Sequence, residues 1–224
     1  MKSFDLKVFH QSIVQNQNII YDFIVTKYFD EVNKVSVALI IVDIQNDYFP
    51  NGRMELSNPV EAADHAGKIL EWFRQNNPNI FHIQHISNHE GATFFLPNTE
   101  GVKINEAVLP LEHETVITKS TPNSFFQTDL EAKLRGLEVT KLVIVGMMTH
   151  MCIDATVRAA MELGFSCTLI EDACTTRDLP YRDKIVPADQ VHYAFVSALN
   201  GVYANVISTE EFLKQEANSI LKNN

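Results

Sequence analysis

The stretch LVIVGMMTHMCIDATVRAAMEL, residues 142–163, decides the fold of this chain. Its apolar, β-branched beginning predicts a buried strand that ends at Gly146, and its amphipathic second half predicts a helix over Cys152–Leu163. A cysteine at such a junction lies among unpaired backbone N–H groups at the positive end of the helix dipole, which favour a thiolate. The segment therefore makes Cys152 a candidate reactive thiol. The alternative, a structural cysteine in the core, has to be weighed against the rest of the chain.

The alternation of strand and helix continues on both sides of this segment. Besides Leu142–Val145, the predicted strands are Val35–Asp43, Asn79–His85, Thr115–Thr118, Cys167–Ile170 and Val206–Ser208. Besides the helix at Cys152, helices are predicted over about residues 59–75, 128–136 and 187–199, and after Ser208. This rhythm predicts an α/β fold, with three α/β/α layers around a central, mostly parallel, six-stranded sheet.

Short signals indicate where helices begin. Asn58, followed by a proline, indicates one helix start, and the capping boxes Thr128–Glu131 and Ser208–Glu211 predict two more. Two long stretches show no periodicity, Ser87–Pro110 and the polar segment Glu171–Asp183. A loop as long as the first is usually functional, so we expect it to contribute to substrate choice.

The length of 224 residues is that of one domain, to which we assign residues 35–224. Residues 1–34 carry apolar residues near helical spacing and are too few to build a core of their own. They are predicted to form a helical N-terminal extension that packs on the domain or on a neighbouring subunit.

Composition excludes several classes of function. The net charge of −10, without a basic stretch, argues against a nucleic-acid partner. The three cysteines (Cys152, Cys167 and Cys174) lack metal-binding spacing and fit a reducing compartment. The N-terminal MKSFDLKVFH lacks the apolar core of a signal peptide, and no apolar run approaches 18 residues. We therefore expect a cytoplasmic protein without a membrane partner.

Three polar side chains follow three of the predicted strands. Asp43 ends the first, Lys119 follows the third directly, and Cys152 follows the fourth. Taken singly, Asp43 is explained as a turn residue and Lys119 as a solvated one. The carboxyl ends of parallel strands share the edge of the sheet at which open α/β folds bind ligands. A carboxylate, an ammonium and a thiol that converge there would form a nucleophilic site.

These residues lie in motifs that resemble a known family. The segments ALIIVDIQNDYF with Asp43, VITKSTPNSF with Lys119 and VGMMTHMCIDATVRAA with Cys152 are similar to those of the isochorismatase-like cysteine hydrolases. That superfamily includes nicotinamidases, N-carbamoylsarcosine amidase and isochorismatases. The later segments DACTTRD and VHYAFVSALNGVYANVISTEEF also match, so the resemblance covers about Val35–Phe212.

The resemblance implies a mechanism. Cys152 would attack an electrophilic carbon and form a covalent intermediate, with Asp43 as base and acid and Lys119 keeping Asp43 ionised. In this family a non-proline cis peptide precedes the nucleophile. By position it would join Met147 to Met148, and the backbone N–H groups of Met148 and Cys152 would form the oxyanion hole.

The resemblance also implies a set of substrate-binding residues. The candidates are Tyr48, Phe94, Phe95, Asn123, Met148 and His150. Phe94 and Phe95 are equally explained as hydrophobic anchors of the long loop. A role of His150 as base is disfavoured, because nothing in its spacing turns the ring towards the thiol and Asp43 already fills that role.

The histidines in and directly after the second predicted strand do not have the spacing of a metal site. Nicotinamidases carry an Asp-x-His…His metal site there. If His89 were the first histidine of that motif, Ser87 would stand where the carboxylate is needed. His82 and His85 should point to opposite faces of their strand because their spacing is odd. We therefore expect neither a metal nor another cofactor.

The resemblance thus implies a hydrolase that cleaves a C–N bond, of the amide type, in a small molecule. One alternative is an isochorismatase-type enol-ether hydrolase, which needs no thiol. Another is a non-enzymatic, thiol-bearing oligomeric protein with an idle site. By the same resemblance we expect a homo-oligomer, a dimer or larger.

Overall fold

The computed structural model describes residues 36–77 and 79–222. The strands are β1 Ser36–Val42, β2 Ile80–His85, β3 Thr115–Lys119, β4 Val139–Met147, β5 Ser166–Thr175, β6 Leu179–Tyr181, β7 Lys184–Val186 and β8 Asn205–Ile207. The α-helices are α1 Pro59–Asn76, α2 Leu130–Gly136, α3 Asp154–Glu162, α4 Ala188–Leu199 and α5 Thr209–Lys222. The predicted extension over residues 1–34 lies outside the described residues.

Six of these strands form one parallel sheet in the order β3-β2-β1-β4-β5-β8. The chain builds outward from β1 through β2 to β3, and then returns to the other side of β1 with β4. Strand order therefore reverses between β1 and β4. A crevice forms at the carboxyl ends of two strands at such a reversal, and it is the usual ligand site of open α/β sheets.

Helices cover both faces of the sheet, which confirms the three-layer prediction. On one face, α1 and α5 bury apolar side chains such as Ile69, Phe73 and Phe212 against the odd-numbered side chains of β1. On the other face, α2, α3 and α4 pack over the even-numbered ones, for example with Leu134 and Val157. The strands β1 and β4 are buried on both faces because both helical layers cover them.

The signals for helix starts had different outcomes. The capping box at the start of α5 is confirmed, because Ser208 N donates to Glu211 Oε2 and Glu211 N donates to Ser208 Oγ. The other box is wrong: Asp129 takes the N-cap position of α2 without a capping side chain. Asn58 precedes α1 as predicted, but it adopts left-handed backbone angles and its side chain caps nothing.

The polar segment after the fifth strand is more regular than predicted. Strand β5 continues to Thr175, and an antiparallel hairpin of β6 and β7 follows. The apolar run Cys167–Ile170 marks only the first half of β5, because Glu171 and Asp172 interrupt the hydrophobic pattern while remaining in the strand. In the described part of the chain, no helix combines the length and apolar composition that crossing a bilayer requires.

Candidate active site

The structure brings together the three residues predicted at the strand ends. Asp43 directly follows β1 with a φ of 51°, Lys119 is the last residue of β3, and Cys152 lies in the turn after β4. Lys119 Nζ is 2.6 Å from Asp43 Oδ2. A nitrogen of His85, a carboxylate oxygen of Asp43 and Cys152 Sγ all lie within 4.8 Å of one another. The carboxylate, the ammonium and the thiol therefore share one cluster.

A glycine allows β4 to approach β1 beside this cluster. Gly146 has a φ of 130°, and a Cβ atom built on it would lie 2.0 Å from Val42 O. Side chains other than hydrogen are therefore excluded both by the backbone angle and by the contact. Because Val42 immediately precedes Asp43, Gly146 contributes to placing the carboxylate.

The Lys119 ammonium is buried and has several acceptors. Burial disfavours its charge, but the interactions with Asp43 and then with Cys152 together outweigh burial, so the pKa of Lys119 is raised above its usual value. Its Nζ also donates to the backbone oxygens of Thr121 and Pro122, at 3.0 and 3.3 Å, and contacts His85 Nδ1 at 3.2 Å. Lys119 is thus a fixed positive charge, not the solvated lysine of the alternative interpretation.

Cys152 sits in a single π-helical turn, Thr149–Ile153, and not in the first turn of the following α-helix. Burial and the Asp43 carboxylate raise the pKa of Cys152 well above its usual value, and Lys119 offsets only part of this. The sequence-based expectation that the helix terminus favours a resting thiolate is therefore wrong. A neutral thiol is a weak nucleophile, and a neighbouring base that takes its proton can activate it.

The backbone shortly before Cys152 has an unusual geometry. The peptide bond between Met147 and Met148 is cis. Met148 O accepts hydrogen bonds from Met151 N at 3.0 Å and Ile153 N at 3.2 Å, which closes the turn that carries Cys152.

Comparison with known proteins identifies the family at this point. The isochorismatase domain model matches residues 37–211, which include the three clustered residues. The chain belongs to the isochorismatase family. It is a hydrolase of that family, and its sheet and flanking helices are those of isochorismatase-like hydrolases.

Relatives of this hydrolase span most of its length. The isochorismatase family protein YddQ of Bacillus subtilis strain 168 is 59% identical over 180 residues, which are 80% of this chain and 100% of YddQ. The crystal structure of a putative isochorismatase hydrolase from Oleispira antarctica is 44% identical, with a TM-score of 0.78 over 81% of this chain and 98% of that one. A nicotinamidase of Escherichia coli K12 is 24% identical, over 61% of this chain and 82% of its own.

An aromatic group adjoins Cys152 in this isochorismatase-family hydrolase. Tyr48 packs against Phe94 and Phe95, with ring centroids 5.9 and 4.6 Å away. Burial raises the pKa of Tyr48, and the neighbouring Cys152 and Asp43 add to this, so its hydroxyl stays protonated beside the cluster. Phe95 is fully buried, whereas Phe94 is only partly buried. Substrate contact by these rings remains a prediction.

Asn123 and His150, two further predicted substrate-binding residues, are held by hydrogen bonds outside the cluster. Asn123 Oδ1 accepts from Phe125 N at 2.9 Å, which fixes the side chain within its own turn. His150 Nδ1 hydrogen-bonds to the Thr176 hydroxyl, and its ring lies 6.0 Å from that of Phe195. The ring of His150 is therefore held by partners other than the thiol, which agrees with the prediction that it is not the base.

Sequence reasoning missed the contribution of His85 to the cluster. His85 ends β2 at the same edge of the sheet as Asp43 and Lys119, so the strand-end argument could have found it. Its Nδ1 lies 3.2 Å from Lys119 Nζ and 3.9 Å from Asp43 Oδ2. Burial, followed by the charge of Lys119, lowers the pKa of His85 to about 4, so the ring is neutral at pH 7.

The histidines do not combine into a metal site. His82 Nε2 contacts Glu114 at 2.9 Å in the core, and His89 is exposed and contacts a neighbouring backbone oxygen. Among the described residues, the one group of three potential metal ligands is Asp43, His85 and Cys152. The Lys119 ammonium lies against two of these ligands, so its charge would repel a cation there. The donor set therefore does not fit a metal.

Proposed function

We propose that this hydrolase cleaves a C–N bond of the amide type in a small molecule, through a covalent intermediate on Cys152. The observation that carries the proposal is the buried contact of a thiol with a carboxylate that is itself paired with an ammonium. The similarity to a nicotinamidase supports an amide as the scissile group.

The first half of the reaction uses Asp43 as base and then as acid. Asp43 removes the thiol proton as Cys152 Sγ attacks the carbonyl carbon, because the raised pKa of Cys152 leaves the resting thiol protonated. The protonated Asp43 then gives this proton to the departing amine nitrogen when the C–N bond breaks. A thioester on Cys152 and a free amine result.

The second half regenerates the thiol. Asp43, again a carboxylate, takes a proton from a water that attacks the thioester carbon. The C–S bond breaks, sulfur regains a proton from Asp43, and a carboxylic acid leaves. Over both halves one water is consumed for each amide cleaved. Lys119 stabilises the anionic form of Asp43 at the beginning and end of each half.

The negative oxygen of both tetrahedral intermediates needs hydrogen-bond donors. We assign this role to the backbone N–H groups of Met148 and Cys152, which lie in the turn that the cis peptide begins. A donor of this type contributes about 3–4 kcal/mol to stabilising a transition state. Tyr48 and Phe94 are the side chains that we expect to contact the rest of the substrate.

The test combines a substrate screen with a probe of the thiol. Purified protein is assayed for amine or ammonia release from amides, carbamoyl compounds and lactams, with a Cys152→Ala variant in parallel. The proposal expects release by the wild type alone, and an acyl adduct on Cys152 by intact mass spectrometry at early times.

The alternatives give different results in the same test. Full turnover by Cys152→Ala would indicate chemistry by Asp43 without a thiol, as in enol-ether hydrolysis. No release from any compound, together with alkylation of Cys152 by iodoacetamide no faster than that of Cys167 and Cys174, would indicate an idle site.

A further inference from the structure

His85 is held beside the proposed catalytic residues by contacts on its backbone and on its ring. The Gln45 side chain accepts from His85 N at 2.7 Å and donates to His85 O at 2.9 Å. Gln45 is fully buried and comes two residues after Asp43, so it joins the end of β2 to the end of β1. The ring is 14% exposed, whereas the side chains of Asp43 and Lys119 are fully buried.

The contact with Lys119 determines where the ring carries its proton. An ammonium has only donors, so Nδ1 of His85 must act as the acceptor at 3.2 Å. The ring is then neutral, with its proton on Nε2. The charged or titratable groups that face it are Asp43, Lys119, Cys152 and His89. A second positive charge on the ring would lie against the ammonium and is disfavoured.

The proposed reaction changes the charges around Lys119. When Asp43 takes the thiol proton, its carboxylate becomes neutral and the ammonium loses its charged partner. Negative charge appears on Cys152 Sγ at the same time. A neutral acceptor outside this exchange keeps a constant contact with Nζ, whereas a carboxylate there would compete with Cys152 for the ammonium. The backbone oxygens of Thr121 and Pro122 and the ring of His85 are such acceptors.

We propose that His85 is a positioning residue, a neutral acceptor that holds the Lys119 ammonium between Asp43 and Cys152 while charge passes from one to the other. This inference rests on the function proposed above. It assigns His85 no proton transfer. Two of these neutral acceptors of Lys119 are backbone oxygens, and the third is the side chain of His85. Substitution of His85 can therefore remove one contact while the two backbone acceptors remain.

Two substitutions separate the acceptor from the bulk of the ring. His85→Asn places an amide oxygen near the position of Nδ1, and His85→Leu fills similar space without an acceptor. The exposed His89 provides the matched control, His89→Leu. Alkylation of Cys152 by iodoacetamide at pH 7, located by peptide mass spectrometry, needs no known substrate.

We expect His85→Leu to slow alkylation of Cys152 about tenfold, which corresponds to the loss of one hydrogen bond to a charged group. His85→Asn and His89→Leu should stay within about threefold of the wild type, a difference smaller than the weakest hydrogen bond of this kind. Equal thermal unfolding midpoints of the variants would confirm that the fold is intact. With any substrate that the screen identifies, His85→Leu should lower kcat and leave KM unchanged.

Three results would overturn the inference. Wild-type alkylation rates in His85→Leu, with Cys152 still more reactive than Cys167, would remove the positioning role and leave the proposed function standing. Equal slowing in His85→Asn and His85→Leu would show that the acceptor is irrelevant. Nitrogen-15 NMR of labelled histidine rings tests the unmodified protein, and a proton on Nδ1 of His85 at pH 7 would contradict the proposal without any substitution.

Discussion

Two buried ionic clusters of this protein each include a histidine of β2, and they differ in how well their carboxylates are satisfied. In the structural cluster, Glu114 accepts from Arg74 Nε at 2.7 Å and from a second Arg74 nitrogen at 2.9 Å. Its Oε2 also contacts His82 Nε2 at 2.9 Å and accepts from Leu111 N at 2.9 Å. These contacts lower the pKa of Glu114 to about 2 although burial raises it.

In the site cluster, the Asp43 carboxylate has much poorer hydrogen bonding. Lys119 Nζ approaches Oδ2 closely, yet within the described residues neither oxygen of Asp43 has a hydrogen bond of good geometry. A carboxylate surrounded by donors is a poor base, because each donor stabilises its charged form. The comparison shows that the Glu114 carboxylate, which joins β2, β3 and α1, accepts several hydrogen bonds. The Asp43 carboxylate, which lies beside the thiol, does not in the described part of the chain.

The largest expected effect separates chemistry from stability. Cys152→Ala should lower turnover of any identified amide by about 10⁴-fold or more, as removal of a nucleophile does in related chemistry. Its free energy of unfolding, measured by urea titration, should change by less than about 2 kcal/mol, because only one small side chain is shortened. A large loss of stability with retained turnover would show that the cluster around Cys152 serves stability and not chemistry.

The next effect concerns the close approach of β1 and β4 at the site cluster. Gly146→Ala should lower the free energy of unfolding by about 4 kcal/mol, because a Cβ would meet Val42 O in a backbone conformation that alanine avoids. The matched control is Gly136→Ala, which meets no atom within 4 Å and lies in a helix. It should raise stability by up to about 1 kcal/mol. Equal effects in urea titrations would contradict the argument.

Breaking the structural cluster should affect stability and leave the site unchanged. Glu114→Gln should cost about 3 kcal/mol, the lower end for a buried ion pair, because the Arg74 side chain is 24% exposed and can reach water. Glu112→Gln, an exposed neighbour, serves as control. The alkylation rate of Cys152 in the folded Glu114→Gln variant should equal that of the wild type. A slowed rate would show that the clusters are coupled through β2.

The smallest effect is a pH dependence of the structural cluster. The pKa of Glu114 is lower in the folded than in the unfolded chain, so its contribution is complete above pH 4.5 and is lost as pH falls towards 2. We expect the difference in unfolding free energy between wild type and Glu114→Gln to shrink by about 2–3 kcal/mol over that range. Urea titrations at several pH values measure it, and a constant difference would contradict the assigned pKa.

Much of the fold and site follows from local sequence. The buried runs that end at Val42 and near Gly146 predicted parallel strands, because only a strand covered on both faces is apolar throughout. Asp43 and Lys119 were found because parallel strands bring their carboxyl ends to one edge. The failed capping box at Thr128 shows the limit of such signals, since tertiary packing decides whether a side chain reaches its own backbone.

By itself, the sequence determined the order along the chain of the six sheet strands and the helices between them, the edge of the sheet that carries the site, and the three residues of the proposed chemistry. Only the tertiary structure showed that the pKa of Cys152 is raised and that His85 belongs to the cluster around Asp43. Both depend on burial and on distances of 3–5 Å between groups far apart in the chain. The junction at residues 142–163 therefore supplies the thiol, while burial, followed by the charge of Asp43 from another strand, raises its pKa.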